Sequence, residues 1–226
     1  MSAAGFSPET FAFLKTLAGN NTRDWFEANR QDYLRFAKKP ADAVRSCLQE
    51  ALAELTGREI ASKQFRINRD LRFSKDKSPY NTHIRMAFWP KDAVFAGREA
   101  QPPGFFLSVE TDHLRIGTGS MVFAKPMLAA YLNALQTGHG DEISALIARL
   151  EAEGFEGPEP DLAKVPKGFP RDHPHGELAR HKGLALWKTL GDTRLVQGET
   201  AATSLLATWK DTLPFWKWLM RLQEKA

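Results

Sequence analysis

The chain has a single cysteine, Cys47, among its 226 residues. That excludes an intramolecular disulfide and a cysteine-based zinc site. No apolar run approaches the roughly 20 residues that a transmembrane helix needs. The opening MSAAGFSPETF has neither a charged n-region nor an apolar h-region. It is therefore not read as a secretory signal, and a cytoplasmic protein without membrane association is expected. A Walker ending, a Gly-x-Ser-x-Gly elbow, a His-Glu-x-x-His helix and a dinucleotide fingerprint are all missing, so none of those chemistries has its motif here. Internal repeats, low-complexity tracts and domain linkers are absent too.

What is present is the composition of an ordinary globular protein, 42% hydrophobic and 26% charged. Fifteen Phe and six Trp imply a core built largely from aromatics. Ser7 and Pro8 read as the start of a helix, with Phe11, Leu14 and Leu17 as its buried stripe and Gly19 at its end. Thr22 caps a second helix running through Trp25, Phe26, Tyr33 and Phe36. A third begins near Pro40, buries Cys47 as an inert thiol, and stops at Gly57. The period then changes to two. Strands are expected over 65–73, 84–89, 104–110, 114–118 and 182–190, with a hairpin turning at 111–113. Helices are expected over 124–136, 140–152, 176–181, 200–210 and 213–224, and a long loop over 154–176. This order predicts an α+β fold: a central antiparallel sheet of about four to five strands flanked by N- and C-terminal helices.

Charge is distributed unevenly. Residues 66–85, RINRDLRFSKDKSPYNTHIR, hold six Lys or Arg against two acids, an excess equal to the whole formal net charge of +4. Such a concentration attracts anions. Strand alternation would put Arg66, Asn68, Asp70 and Arg72 on one face, with Arg69 on the other and in need of a carboxylate partner. Arg66, Arg69, Arg72, Ser74, Lys75, Lys77, Tyr80 and Arg85 are the candidate ligand-binding residues, because guanidinium forks, ammonium groups and hydroxyls suit phosphate or carboxylate. Asp70 and His83 are the candidate acid–base groups. The competing reading is a solvated face whose arginines pair with local acids.

The run RDLRFSKDKSPYNTHI resembles the signature of the bacterial and fungal family catalogued as domain of unknown function 2461. FSPETFAFLKTLAGNNTRDWFEANRQDY resembles that family's start, PGFFLSVETDHLRIGTGS its central hairpin, and PKGFPRDHPHGELARHKGL its late loop and helix. The resemblance covers most of the chain and implies one full-length domain. It supplies no activity, substrate or catalytic residue. In the family's pattern the Asp172-His173-Pro174 triplet is typical and His175 is not, which weakens any role that needs His175.

Two other constellations stand out. Asp172, His173, His175 and Glu177, with His181 further on, have the residue types of a zinc site, but a loop entering a helix explains them more simply, and no metal or other cofactor is expected. Gly117-Thr118-Gly119-Ser120 is read as a tight connection between a strand and a helix rather than an anion loop. Three function classes follow. The first is a protein that binds or acts on an anionic, phosphate-bearing small molecule. The second is a structural or interaction protein whose arginines form an ion-pair network. The third is a nucleic-acid binder, disfavoured by a pI of about 9.2 and by the strong salt sensitivity that about six phosphate contacts would bring.

Overall fold

A computed structural model of the chain describes residues 5–72, 75–198 and 200–225. Helix α1 spans Pro8–Gly19, and its N-terminal turn is closed by Ser7, whose backbone N–H donates to Thr10 Oγ1 at 3.3 Å. Its buried residues are Thr10, Phe13, Leu14 and Leu17; Phe11, expected in that stripe, is only half-buried. Helix α2 is Arg23–Ala28, capped by the Thr22 hydroxyl, which accepts from Trp25 N–H at 3.3 Å. The helix then resumes as α3 (Arg30–Asp32), opens into a π-helix over Tyr33–Lys38, and continues as α4 (Lys39–Thr56). Lys39 N–H reaches back five residues to Leu34 O. Buried Thr10 belongs to this irregularity, since its hydroxyl donates to Phe36 O at 2.5 Å. Gly57 ends α4 with φ of 68°, a left-handed cap that suits glycine. Cys47 is half-buried rather than buried.

Five strands follow: β1 (Ile60–Gln64), β2 (Ile84–Pro90), β3 (Gly104–Val109), β4 (Leu114–Ser120) and β5 (Leu184–Leu190). They form one antiparallel sheet in sequence order, and with helices at both ends of the chain the fold is α+β. Between β4 and β5 lie α5 (Lys125–Leu135) and α6 (His139–Ala152); α7 (Ala201–Gln223) closes the chain.

Several expectations need correction. The strand expected over 65–73 is displaced: β1 ends at Gln64, and beyond it only an isolated antiparallel bridge joins Asn68 to Tyr80. The shared face expected of Arg66, Asn68, Asp70 and Arg72 therefore does not exist as a strand face. The two C-terminal helices are one, with Pro214 inside it. The helix expected over 176–181 is a single 3-10 turn, Leu178–Arg180. Residues 117–120 are not a connection but lie within β4.

The chain divides into two compact units. The first comprises residues 1–88, 106–116 and 189–208, and the second 89–105, 117–188 and 209–226. In the first, the spacing Ala41, Val44, Leu48, Leu52 gives α4 one buried stripe, and burying one such Leu contributes about 1.5–3 kcal/mol. In the second, Tyr131, Phe123, Phe215, Trp218 and Leu219 belong to one buried cluster. Among the described residues, no helix is long and apolar enough to cross a membrane.

Candidate functional site

The basic window splits into three parts. In the first, the chain leaving β1 runs extended past Tyr80. Asn81 N–H donates to Ile67 O at 2.7 Å, and Arg69 N–H to Pro79 O at 2.9 Å. Tyr80 is anchored in turn by Asn21, whose side chain accepts from Tyr80 N–H at 3.1 Å and donates to Tyr80 O at 2.9 Å. This holds Arg66, Ile67, Asn68 and Tyr80 in the lining of a pocket of about 410 Å³. The lining also includes Phe26 and Glu27 of α2, Arg30 of α3, and Tyr33, Leu34 and Lys38 of the π-helix, with Gln64 and Phe65 completing it. All of these residues belong to the first unit.

Part of the pocket lining is aromatic. Tyr80 stacks on Phe26 with centroids 4.0 Å apart, and Phe26 meets Tyr33 at 5.2 Å. Burial, and then the charge of Asp42, push the Tyr33 hydroxyl above its ordinary pKa, so it remains a donor. Three cations and one acid line the space. Lys38 is already held by Asp42 Oδ2 at 2.7 Å and Gln64 Oε1 at 3.1 Å, and Arg30 pairs loosely with Glu27 at 3.4 Å in full view of solvent. Arg66 has no ion-pair partner among the described residues.

The second part is a self-satisfied loop. Asp70, expected as an acid–base group, takes a two-pronged bond from Arg72, from Nε at 2.9 Å and Nη2 at 2.7 Å. Arg69 finds its carboxylate in Asp76, which also accepts from Ser78 N–H at 2.9 Å and Ser78 Oγ at 2.6 Å. Those bonds, Ser78 first and Arg69 after it, hold the Asp76 carboxyl well below the usual range. Lys77 Nζ donates to Leu71 O at 3.1 Å, and Lys75 is exposed. Ser74 lies outside the described residues. Arg69, Arg72, Lys75 and Lys77 do not line the pocket.

The third part is His83. Between the Asn81–Ile67 and Phe65–Arg85 bonds, one strand advances two residues and the other four. This bulge re-aims the side chains beside it. His83 Nδ1 lies 3.5 Å from Glu110 Oε2, Glu110 accepts from the buried Ser108 hydroxyl at 2.6 Å, and Arg85 Nε reaches Ser108 Oγ at 3.4 Å. Burial depresses the His83 pKa most, then Arg85, with Arg69 acting the same way and Glu110 opposing. The ring is therefore neutral at pH 7.

The other constellations are structural. His175 docks on the first turns of α6, with Nε2 at 3.0 Å from Asp141 Oδ1 and Nδ1 at 3.1 Å from Ser144 Oγ. Its backbone N–H donates to His173 Nδ1 at 3.2 Å. A Cβ on Gly140 would stand 2.3 Å from the His175 ring, so that glycine makes room for it. Both imidazole nitrogens are thus engaged, and no group of three or more His, Cys, Asp or Glu suited to a metal occurs among the described residues. Gly117 lies under the Trp187 ring, and Gly119 against the backbone of β5.

His181 is buried, with Nδ1 sealed from solvent and unbonded among the described residues. Burial, with a smaller push from Arg180, lowers its pKa from 6.5; Asp161, Glu177 and Glu159 oppose. A histidine held neutral by the fold stabilises fully above its unfolded pKa, and that contribution is lost as pH falls from about 6.5 through the depressed folded value. We expect His181→Leu to gain about 1 kcal/mol at pH 7, by removing an unsatisfied buried group, and more at pH 5.5. Urea unfolding across pH 5–8 measures this; an unchanged pH profile in the variant would refute it.

Sequence reasoning missed Arg30, Tyr33 and Lys38, because a π-helix has no pattern by which to place them. Glu110 carried a usable signal: alternation from Gly104 puts it on the face of Ser108. A model of the family described as a conserved hypothetical protein (DUF2461) matches residues 9–218. The chain belongs to this family. No curated protein matches it significantly. In this DUF2461 member, the run that resembles the family signature contributes Tyr80 to the pocket lining, and Arg66, Ile67 and Asn68 directly precede that run.

Proposed function

We propose that the pocket of the first unit binds a small anionic molecule, with Arg66 as its principal contact. The observation that carries this reading is that Arg66, without an ion pair among the described residues, shares the lining of one pocket of about 410 Å³ with Arg30 and Lys38. That volume falls at the lower end of ordinary small-molecule sites. A guanidinium offers the fork of donors that phosphate and carboxylate accept. A second reading has its own support and concerns a different part of the window. Arg69 pairs with Asp76 and Arg72 with Asp70, both acids of the same window, so those arginines serve local structure. Exposed pairs of this kind each contribute about 0–1 kcal/mol.

The test is calorimetric titration with methyl phosphate, a simple monoester dianion. Arg66→Ala should weaken binding about tenfold or more, the expected loss for a charge-assisted hydrogen bond. Its melting temperature should not move, because the residue is exposed. Arg72→Ala should leave binding unchanged. Equal losses in both variants would mean a diffuse field rather than a site. Absence of binding by the unaltered protein would dismiss the reading.

A further inference from the structure

We infer that the ligand of this pocket carries its anion on a planar aromatic body: an aryl or heteroaryl phosphate or carboxylate rather than a sugar phosphate or an inorganic ion. The inference rests on the anion reading above and deepens it. Three observations lead to it.

First, the pocket lining includes a run of rings in mutual contact, Tyr33 to Phe26 to Tyr80, together with Leu34 and Ile67. Such a surface gains from covering by apolar area, and rings prefer rings at offset or tilted geometry. Second, burial differs along the lining. Phe26, Ile67 and Tyr80 are buried, whereas Arg66 is exposed. A bare phosphate bound by Arg66 would leave the apolar part of the lining uncovered, whereas a ring joined to the anion can cover it. Third, neither the Tyr33 nor the Tyr80 hydroxyl is bonded by a described residue, and neither is sealed from solvent. Each belongs to a residue of the pocket lining and is left as a donor, to which a ring heteroatom or ring substituent can present an acceptor. The π-helix that presents Tyr33 and Leu34 is a costly conformation, and such segments occur frequently at functional sites.

The experiment compares four probes by calorimetry at one ionic strength: methyl phosphate, cyclohexyl phosphate, phenyl phosphate and benzoate. Phenyl phosphate should bind about tenfold tighter than methyl phosphate, the gain expected from covering one ring. It should also exceed cyclohexyl phosphate, which has similar bulk but no plane. Tyr33→Leu, at a half-buried position and of similar apolar character, should erase the advantage of phenyl over cyclohexyl. Ring-proton shifts of Tyr33 and Tyr80 on adding phenyl phosphate to the unaltered protein provide a readout that needs no variant. Benzoate binding as tightly as phenyl phosphate would assign the head group as carboxylate; weaker binding would assign it as phosphate. Equal affinity for phenyl and methyl phosphate, both dependent on Arg66, would overturn the aromatic inference and leave the anion site standing. Equal affinity for phenyl and cyclohexyl phosphate would overturn the planar requirement. No binding of any probe would overturn both readings.

Discussion

Gly119→Ala should lose more than about 4 kcal/mol of stability, enough to leave little folded protein at room temperature. Gly119 sits in β4 with φ of 135°, a backbone conformation that L side chains rarely adopt. A Cβ there would lie 2.1 Å from Leu184 O and 2.6 Å from Ala185 Cα. Both obstacles are backbone atoms of the neighbouring strand, so no rotamer change can relieve them. Relief requires β4 and β5 to separate, which breaks ladder hydrogen bonds in a buried stretch. Urea unfolding followed by circular dichroism measures the loss. Gly138→Ala, at a position where a Cβ meets nothing within 4 Å, is the control and should change little. Comparable stability of the two variants would show that β5 does not press on Gly119.

Trp209→Ala is expected to cost about 3–5 kcal/mol, the usual range for a buried indole. Trp209 is wholly buried in α7, its Nε1–H donates to Gly117 O at 3.1 Å, and its ring meets Phe105 edge-on at 5.8 Å. The alanine variant loses the packing and leaves a carbonyl without its indole donor. Trp209→Phe separates these terms, since it keeps most of the packing and loses only the donor, at about 1–2 kcal/mol. Equilibrium unfolding of the pair decides; a phenylalanine variant as unstable as the alanine one would assign the hydrogen bond, not the ring, as the dominant contribution.

Much of the fold was legible from sequence because its strongest signals are local. Period-two runs located β2 to β5 to within a few residues, and Gly57 marked the end of α4. Three misplacements have physical causes. Alternation of apolar and charged side chains over 65–73 imitates a strand, yet ladder pairing is a property of two chains, and the partner segment bulges at Thr82 and His83. Two helices are expected over 200–210 and 213–224, yet α7 runs unbroken through that gap and through Pro214, because packing of its apolar face outweighs the local break. Phe11 and Phe13 are both aromatic and two residues apart; which one faces inward depends on the packing of α1 against the π-helix, where Thr10 meets Phe36.

The candidate site was legible only in part. The window contains Arg66 and Tyr80, which line one pocket. It did not separate them from Arg69 and Arg72, because net charge cannot tell a cation facing a pocket from one facing its own acid. The rest of the lining was invisible: Arg30 and Lys38 sit on an exposed helical stretch whose composition resembles any solvated face.

The π-helix also governs phase. An α-helix turns about 100° per residue. Where Leu34 O accepts from the fifth residue instead of the fourth, one residue is absorbed without a full step of rotation, and everything downstream is turned relative to everything upstream. The stripe Ala41, Val44, Leu48, Leu52 is set by that offset against α3. Removing one residue between Tyr33 and Lys38 would restore regular winding and turn the α4 stripe out of step with α3. The segment that contributes to the pocket lining is thus also the gear tooth that aligns the core, and this chain cannot lose one without the other.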